Sequence, residues 1–186
     1  MKTKIFALLA ILAFTLTASA TKIKENNYAD IDNFFATASV AESPGIKHFY
    51  ISKAMLTLTA GKSDLMLAVA GFQVKDFINK IDFIRNVEIS TNRTRQEKEL
   101  LAAAELLATK TYRKYNYNNL LTTNEGDGEC NYFFYKYGEG GLCSILVIST
   151  LKEYDEATEQ AFLKKARVIL IGGTFRAEDI PSIINF

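Results

Sequence analysis

The chain has 186 residues, with 22 basic against 21 acidic side chains and a formal charge of +1. So even a balance offers no clustered cationic footprint of the kind nucleic-acid binding needs. The length suits one domain with a sizeable core.

The first element is an address. Lys2 and Lys4 precede an apolar run from Ile5 to Leu16, and Ala18-Ser19-Ala20 then supplies the small residues of a signal-peptidase site. The run is shorter than the roughly 20 apolar residues that span a bilayer. It predicts a signal peptide over residues 1–20, cleaved between Ala20 and Thr21, and one domain over 21–186. Cleavage removes two lysines and no acid, which takes the 22 basic side chains to 20 against 21 acidic ones, a mature charge of −1. No cysteine stands just after the cleavage point, the first in the chain being Cys130. The expected product is an exported, periplasmic or secreted protein that is not a lipoprotein and has no membrane span after cleavage.

Tyr28, Ile31, Phe34, Phe35 and Ala38 recur at helical spacing and predict a helix over 28–39, stopped by Ser43-Pro44-Gly45. Ile46 to Ile51 predicts a strand, after which Ser52 caps a short helix carrying Met55, Leu56 and Leu58. Leu65 to Ala70 fits either helix or strand. Asp76 to Ile81 predicts a helical turn or two before a strand over Phe83 to Ser90. Thr94-Arg95-Gln96-Glu97 has the form of a capping box and opens a helix with Leu100, Ala104, Leu107 and Thr111 on one face. Lys110, Arg113 and Lys114 fall in its last turn, where cations complement the helix dipole.

Tyr117 to Thr122 and Glu129 to Tyr137, joined through Asn124 to Gly128, predict a hairpin. Gly138-Glu139-Gly140-Gly141 then turns into a strand over Leu142 to Thr150. The charged Lys152 to Lys165 stretch is ambiguous and fits a loop with a short helix. A last strand over Arg167 to Ile171 is broken by Gly172-Gly173, and a short helix over Ala177 to Ile184 closes the chain. Together these predict an α+β fold, a single domain in which a mixed β-sheet with an antiparallel C-terminal meander packs against helices.

The residues argue against most recognisable chemistries, and no catalytic, cofactor-binding or metal-binding residue is assigned. A turn centred on Glu139 and Gly140 places position 143 opposite 136 and position 130 opposite 149. Cys130 and Cys143 then lie about 20 Å apart, beyond disulfide reach, and two buried free thiols are expected. His48 is the sole histidine. It has no nucleophile or ligand motif beside it, and a structural or exposed residue is expected. Asn124 to Glu129 is half the length of a calcium loop, and neither Gly138 to Gly141 nor Gly172-Gly173 has the spacing of a phosphate cradle. Asn92-Arg93-Thr94 fits a glycosylation sequon that is usually idle in a bacterial envelope protein. Arg93, Arg95 and Lys98 alternate with Glu97 and Glu99 and read as a solvated helix start. Sheet core accounts for most of Tyr112, Tyr115, Tyr117, Tyr132, Tyr135 and Tyr137.

The signal peptide is followed by Phe49-Tyr50-Ile51-Ser52-Lys53-Ala54-Met55-Leu56, then Ile81-Asp82-Phe83-Ile84 and Tyr117-Asn118-Asn119-Leu120-Leu121. Asp127-Gly128-Glu129, Phe134-Tyr135-Lys136, Gly173-Thr174-Phe175 and Glu178-Asp179-Ile180 complete the order. In that order the chain resembles the exported bacterial proteins of the domain of unknown function 4252 family. The resemblance implies export and a compact α/β domain, carries no catalytic residues, and hints at regulation through neighbouring envelope-sensing sigma-factor systems. The leading expectation is a non-enzymatic envelope module that binds a protein partner. The alternatives are an enzyme using carboxylates from separate segments, such as Asp82, Glu88 and Asp127, and a binder of a small apolar ligand.

Overall fold

A computed structural model describes residues 31–59, 79–114, 116–125, 127–138 and 143–179. The predicted signal segment, the start of the first helix at Tyr28 and the Leu65–Ala70 run lie outside the described residues. Helix α1 (Ile31–Ser39) buries Ile31, Phe34, Phe35 and Ala38, the residues its apolar spacing selects. Strand β1 (Ile46–Ser52) leads into helix α2 (Lys53–Thr59), whose N-terminus is capped where the Met55 amide donates to Ser52 Oγ at 3.4 Å. Strand β2 (Ile81–Ile89) precedes helix α3 (Arg95–Lys114). The chain then runs through β3 (Asn118–Glu125), β4 (Glu129–Tyr137), β5 (Cys143–Asp155) and β6 (Gln160–Gly173).

The six strands form one sheet in the order β1-β2-β6-β5-β4-β3. The fold class is α+β, with the expected C-terminal meander. All five pairings are antiparallel, so the sheet is not the mixed one that alternating helices and strands suggested. A helix between two strands reads as a parallel crossover. Here β2 instead returns beside β1 in the opposite sense, and α3 carries the chain from an inner strand to the far edge.

Alternation along the strands sends side chains to two faces. On one, Val87, Ile89, Leu146, Ile148 and Val168 pack under α1 and α3 against Phe34, Leu100, Leu101 and Leu107. On the other, Ile84, Ile145, Val147, Ile169 and Ile171 gather with Leu56 of α2 and with Phe175. Burial on both faces explains the unbroken apolar run Ile145 to Ile148, all four residues of which are buried.

Two expectations for the late chain are corrected. The segment from Lys152 to Lys165 is a continuation of β5 and β6, which pair out to Asp155↔Gln160. Charge misleads there because the outer part of this ribbon pairs only with itself. Both faces can hold ions, such as Lys164 with Glu153 at 3.0 Å. Its turn is made by Asp155, which accepts from the Ala157 amide at 3.0 Å and the Thr158 hydroxyl at 2.9 Å, with Glu159 at φ 53°. Gly172 and Gly173 do not break β6. They are its last paired residues, small because the Phe83 ring and the Lys80 carbonyl occupy the space a Cβ would need. The predicted closing helix begins as a 3-10 turn over Ala177–Asp179, and the rest of it lies outside the described residues.

Candidate functional site

The Ser43-Pro44-Gly45 turn fixes where β1 begins. It is hooked onto the start of α3 by Glu97, which is 2% exposed. The capping box forms as its residues predict: the Glu97 amide donates to Thr94 Oγ1 at 3.2 Å and the Thr94 amide to Glu97 Oε2 at 3.0 Å. The carboxylate also accepts from the Arg93 amide at 2.6 Å and from the Ser43 hydroxyl, 54 residues away in sequence. Burial pushes its pKa up, but the hydrogen bonds from Ser43, Arg93, Thr94 and Thr91 outweigh that and bring it from 4.5 to about 2. Gly45 passes so close to the Glu97 and Thr91 oxygens that a side chain would collide with them.

From this anchor β1 runs beside β2 in unbroken register, Ile46↔Ile89 to Ser52↔Phe83. His48, Tyr50, Arg85 and Val87 therefore share the face on which α1 lies. Between that face and Asp32, Phe35, Ala36 and Ser39 of α1 is a groove of about 560 Å³. Two smaller hollows among the described residues hold about 370 Å³ beside Glu88, Ser149 and Arg167, and about 310 Å³ beside Tyr117, Lys136 and Ser144.

Arg85 organises the groove. Its Nη1 pairs with Asp32 Oδ1 at 2.8 Å, and its guanidinium lies 5.4 Å from the Phe83 ring centroid, 5.9 Å from Phe35 and 6.0 Å from Tyr50. Those distances are in the range of cation–π attraction. The Arg85 side chain is 34% exposed and that of Asp32 82%. Among the described residues β1 pairs with β2 alone, and the outer side of an edge strand presents backbone donors and acceptors.

The residues singled out in the sequence fall elsewhere, with one exception. His48 is exposed, as expected, and lines this groove. Asp82 pairs with Lys53 at 2.8 Å, Glu88 lies six residues along β2, about 20 Å at strand rise, and Asp127 is exposed in the β3–β4 turn. The three carboxylates do not converge. Both cysteines are free; Cys143 is buried and Cys130 half-buried. The register is one residue off that expected, with Cys143 opposite Tyr137 and Cys130 opposite Thr150, which still puts them at opposite ends of β4 and β5. Burial pushes the Cys143 thiol up to about 11. Asn92 of the sequon donates to the Leu163 carbonyl at 2.8 Å, so its amide tethers the β6 arm. Arg95 pairs along the helix with Glu99 at 2.9 Å. Among the tyrosines, Tyr117 is buried and shares a 2.8 Å hydrogen bond with Ser144, while Tyr137 is exposed; the side chains of Tyr112 and Tyr115 lie outside the described residues.

Sequence reasoning missed Arg85. A signal exists in the Phe83-x-Arg85 spacing, which puts a cation beside a ring on a strand face that is otherwise apolar, with Val87 and Ile89. Its other partners come from β1 and α1. Among the described residues no group of His, Cys, Asp and Glu is placed to hold a metal ion, and no helix is long and apolar enough to cross a membrane. The family model described as a domain of unknown function, DUF4252, matches residues 37–183. That span takes in β1 and β2 and begins after Asp32 and Phe35. No curated protein and no solved structure matches the chain.

Proposed function

The chain belongs to the DUF4252 family, and from that footing we propose that it is an exported, non-enzymatic module that binds an extended segment of an envelope protein in the groove between α1 and β1. The observation that carries this reading is the combination of a regular strand edge, which no other described strand covers, with an adjacent groove lined by aromatic rings and one guanidinium. Strand addition draws affinity from main-chain hydrogen bonds and specificity from hollows that take side chains. β1 supplies the first and the groove the second. Export rests on the charge, apolar run and small-residue order of residues 1–20.

Crosslinking in the living host tests both parts. The recovered protein should begin at Thr21 in the envelope fraction. The wild-type chain should yield an adduct of defined mass, and Ser39→Trp, which fills the groove from an exposed position, should not. Monomer alone from both chains, or an adduct indifferent to the tryptophan, would overturn the reading.

A further inference from the structure

We propose that the groove reads a carboxylate carried by the docked segment beside an apolar or aromatic side chain, with Arg85 as its seat and Asp32 as the internal group it displaces. This rests on the groove reading above and adds the ligand's chemistry to it.

Phe83, Phe35 and Tyr50 surround the Arg85 guanidinium at 5.4, 5.9 and 6.0 Å. Rings at these distances attract the cation, and its N–H donors are its polar handle. A planar fork of donors matches a carboxylate in two-point fashion, which an ammonium cannot do. Asp32 Oδ1 pairs with Nη1 at 2.8 Å. With its own side chain 82% exposed, it forms the kind of surface pair that contributes little to stability and is readily exchanged. The apolar part of a ligand would rest on Phe35 and Tyr50, the latter 55% exposed in the open groove. His48 sits one residue pair along the same face, opposite Val87, and borders the far side of the seat.

The test uses benzoate, a carboxylate on an apolar ring, against its neutral twin benzamide. Each is titrated into the isotope-labelled protein recovered from the envelope while the Arg85 Nε–H and the Tyr50 and Asn86 amides are followed by NMR. Benzoate should shift these signals saturably at millimolar concentration and benzamide should not. Asp32→Asn should tighten benzoate about threefold by removing the competitor, and Arg85→Lys should weaken it about tenfold. Unchanged amide signals elsewhere would show that both variants are folded. Equal shifts by the two compounds, or no effect of Asp32→Asn, would overturn the carboxylate seat. If the Ser39→Trp-sensitive adduct persists in that case, the groove reading stands without it; if the adduct also fails, both fall.

Discussion

β1 and β3 are the two outer strands of one sheet, yet they are built differently. β1 pairs with β2 without interruption over seven residues, starts from a turn locked onto a buried carboxylate, and runs beside a groove containing Arg85 and His48. β3 pairs with β4 through an irregularity between Asn119 and Leu121, which leaves Leu120 without a partner in the register and 38% exposed. Bulges of this kind twist an edge away from further pairing, whereas a straight edge invites it. The difference shows that an unpaired edge is not by itself a site. On the proposed reading it becomes one where regular backbone, firm anchoring and a shaped neighbour coincide, as they do at β1.

Breaking the anchor should have the largest effect. Glu97→Ala would leave the Ser43 hydroxyl and the Arg93 and Thr94 amides without their acceptor, at a cost of about 3 kcal/mol in denaturant unfolding. The same carboxylate makes the β1 end acid-sensitive. Its folded pKa is depressed from 4.5 to about 2, so its contribution is fully present above pH 4.5 and is lost as pH falls toward 2. That contribution is about 3 kcal/mol. Hydrogen exchange on acidification should therefore open Ile46 to Ile51 before β3. Gly45→Ala acts on the same contact from the other side and should cost about 1–3 kcal/mol, read as a lowered melting temperature.

At the other edge the anchor is lighter. Tyr117→Phe removes the 2.8 Å bond to Ser144 while keeping the ring, and about 1 kcal/mol is expected. His48→Ala, at an exposed position, should change stability by no more than about 0.5 kcal/mol. A cost for Tyr117→Phe equal to that for Glu97→Ala would remove the contrast between the two edges.

What could be read from the sequence was local. The Thr94–Glu97 box, the Ser52 cap, the apolar face of α1 and the β3–β4 hairpin all depend on residues within a few positions of one another, where spacing carries the physics. What escaped depends on distance. Glu97 takes a hydroxyl from Ser43, and Arg85 takes its charge partner from Asp32, 53 residues earlier. The β5–β6 arm was hidden for a different reason. Strand is usually recognised by a buried face, and Lys152 to Lys165 forms a ribbon that buries little beyond Leu163. Gly172 and Gly173 look like a break until the Phe83 ring and the Lys80 carbonyl are seen lying against them.

The central claim, that a partner meets this protein at β1 and its groove, is tested most directly by placing a photo-crosslinking phenylalanine analogue at Tyr50 and, in a second chain, at Leu120. Both positions are exposed and lie on opposite outer strands. Illumination in the living host should give an adduct from Tyr50 and none from Leu120. An adduct from Leu120 alone, or equal yields from both, would contradict the account.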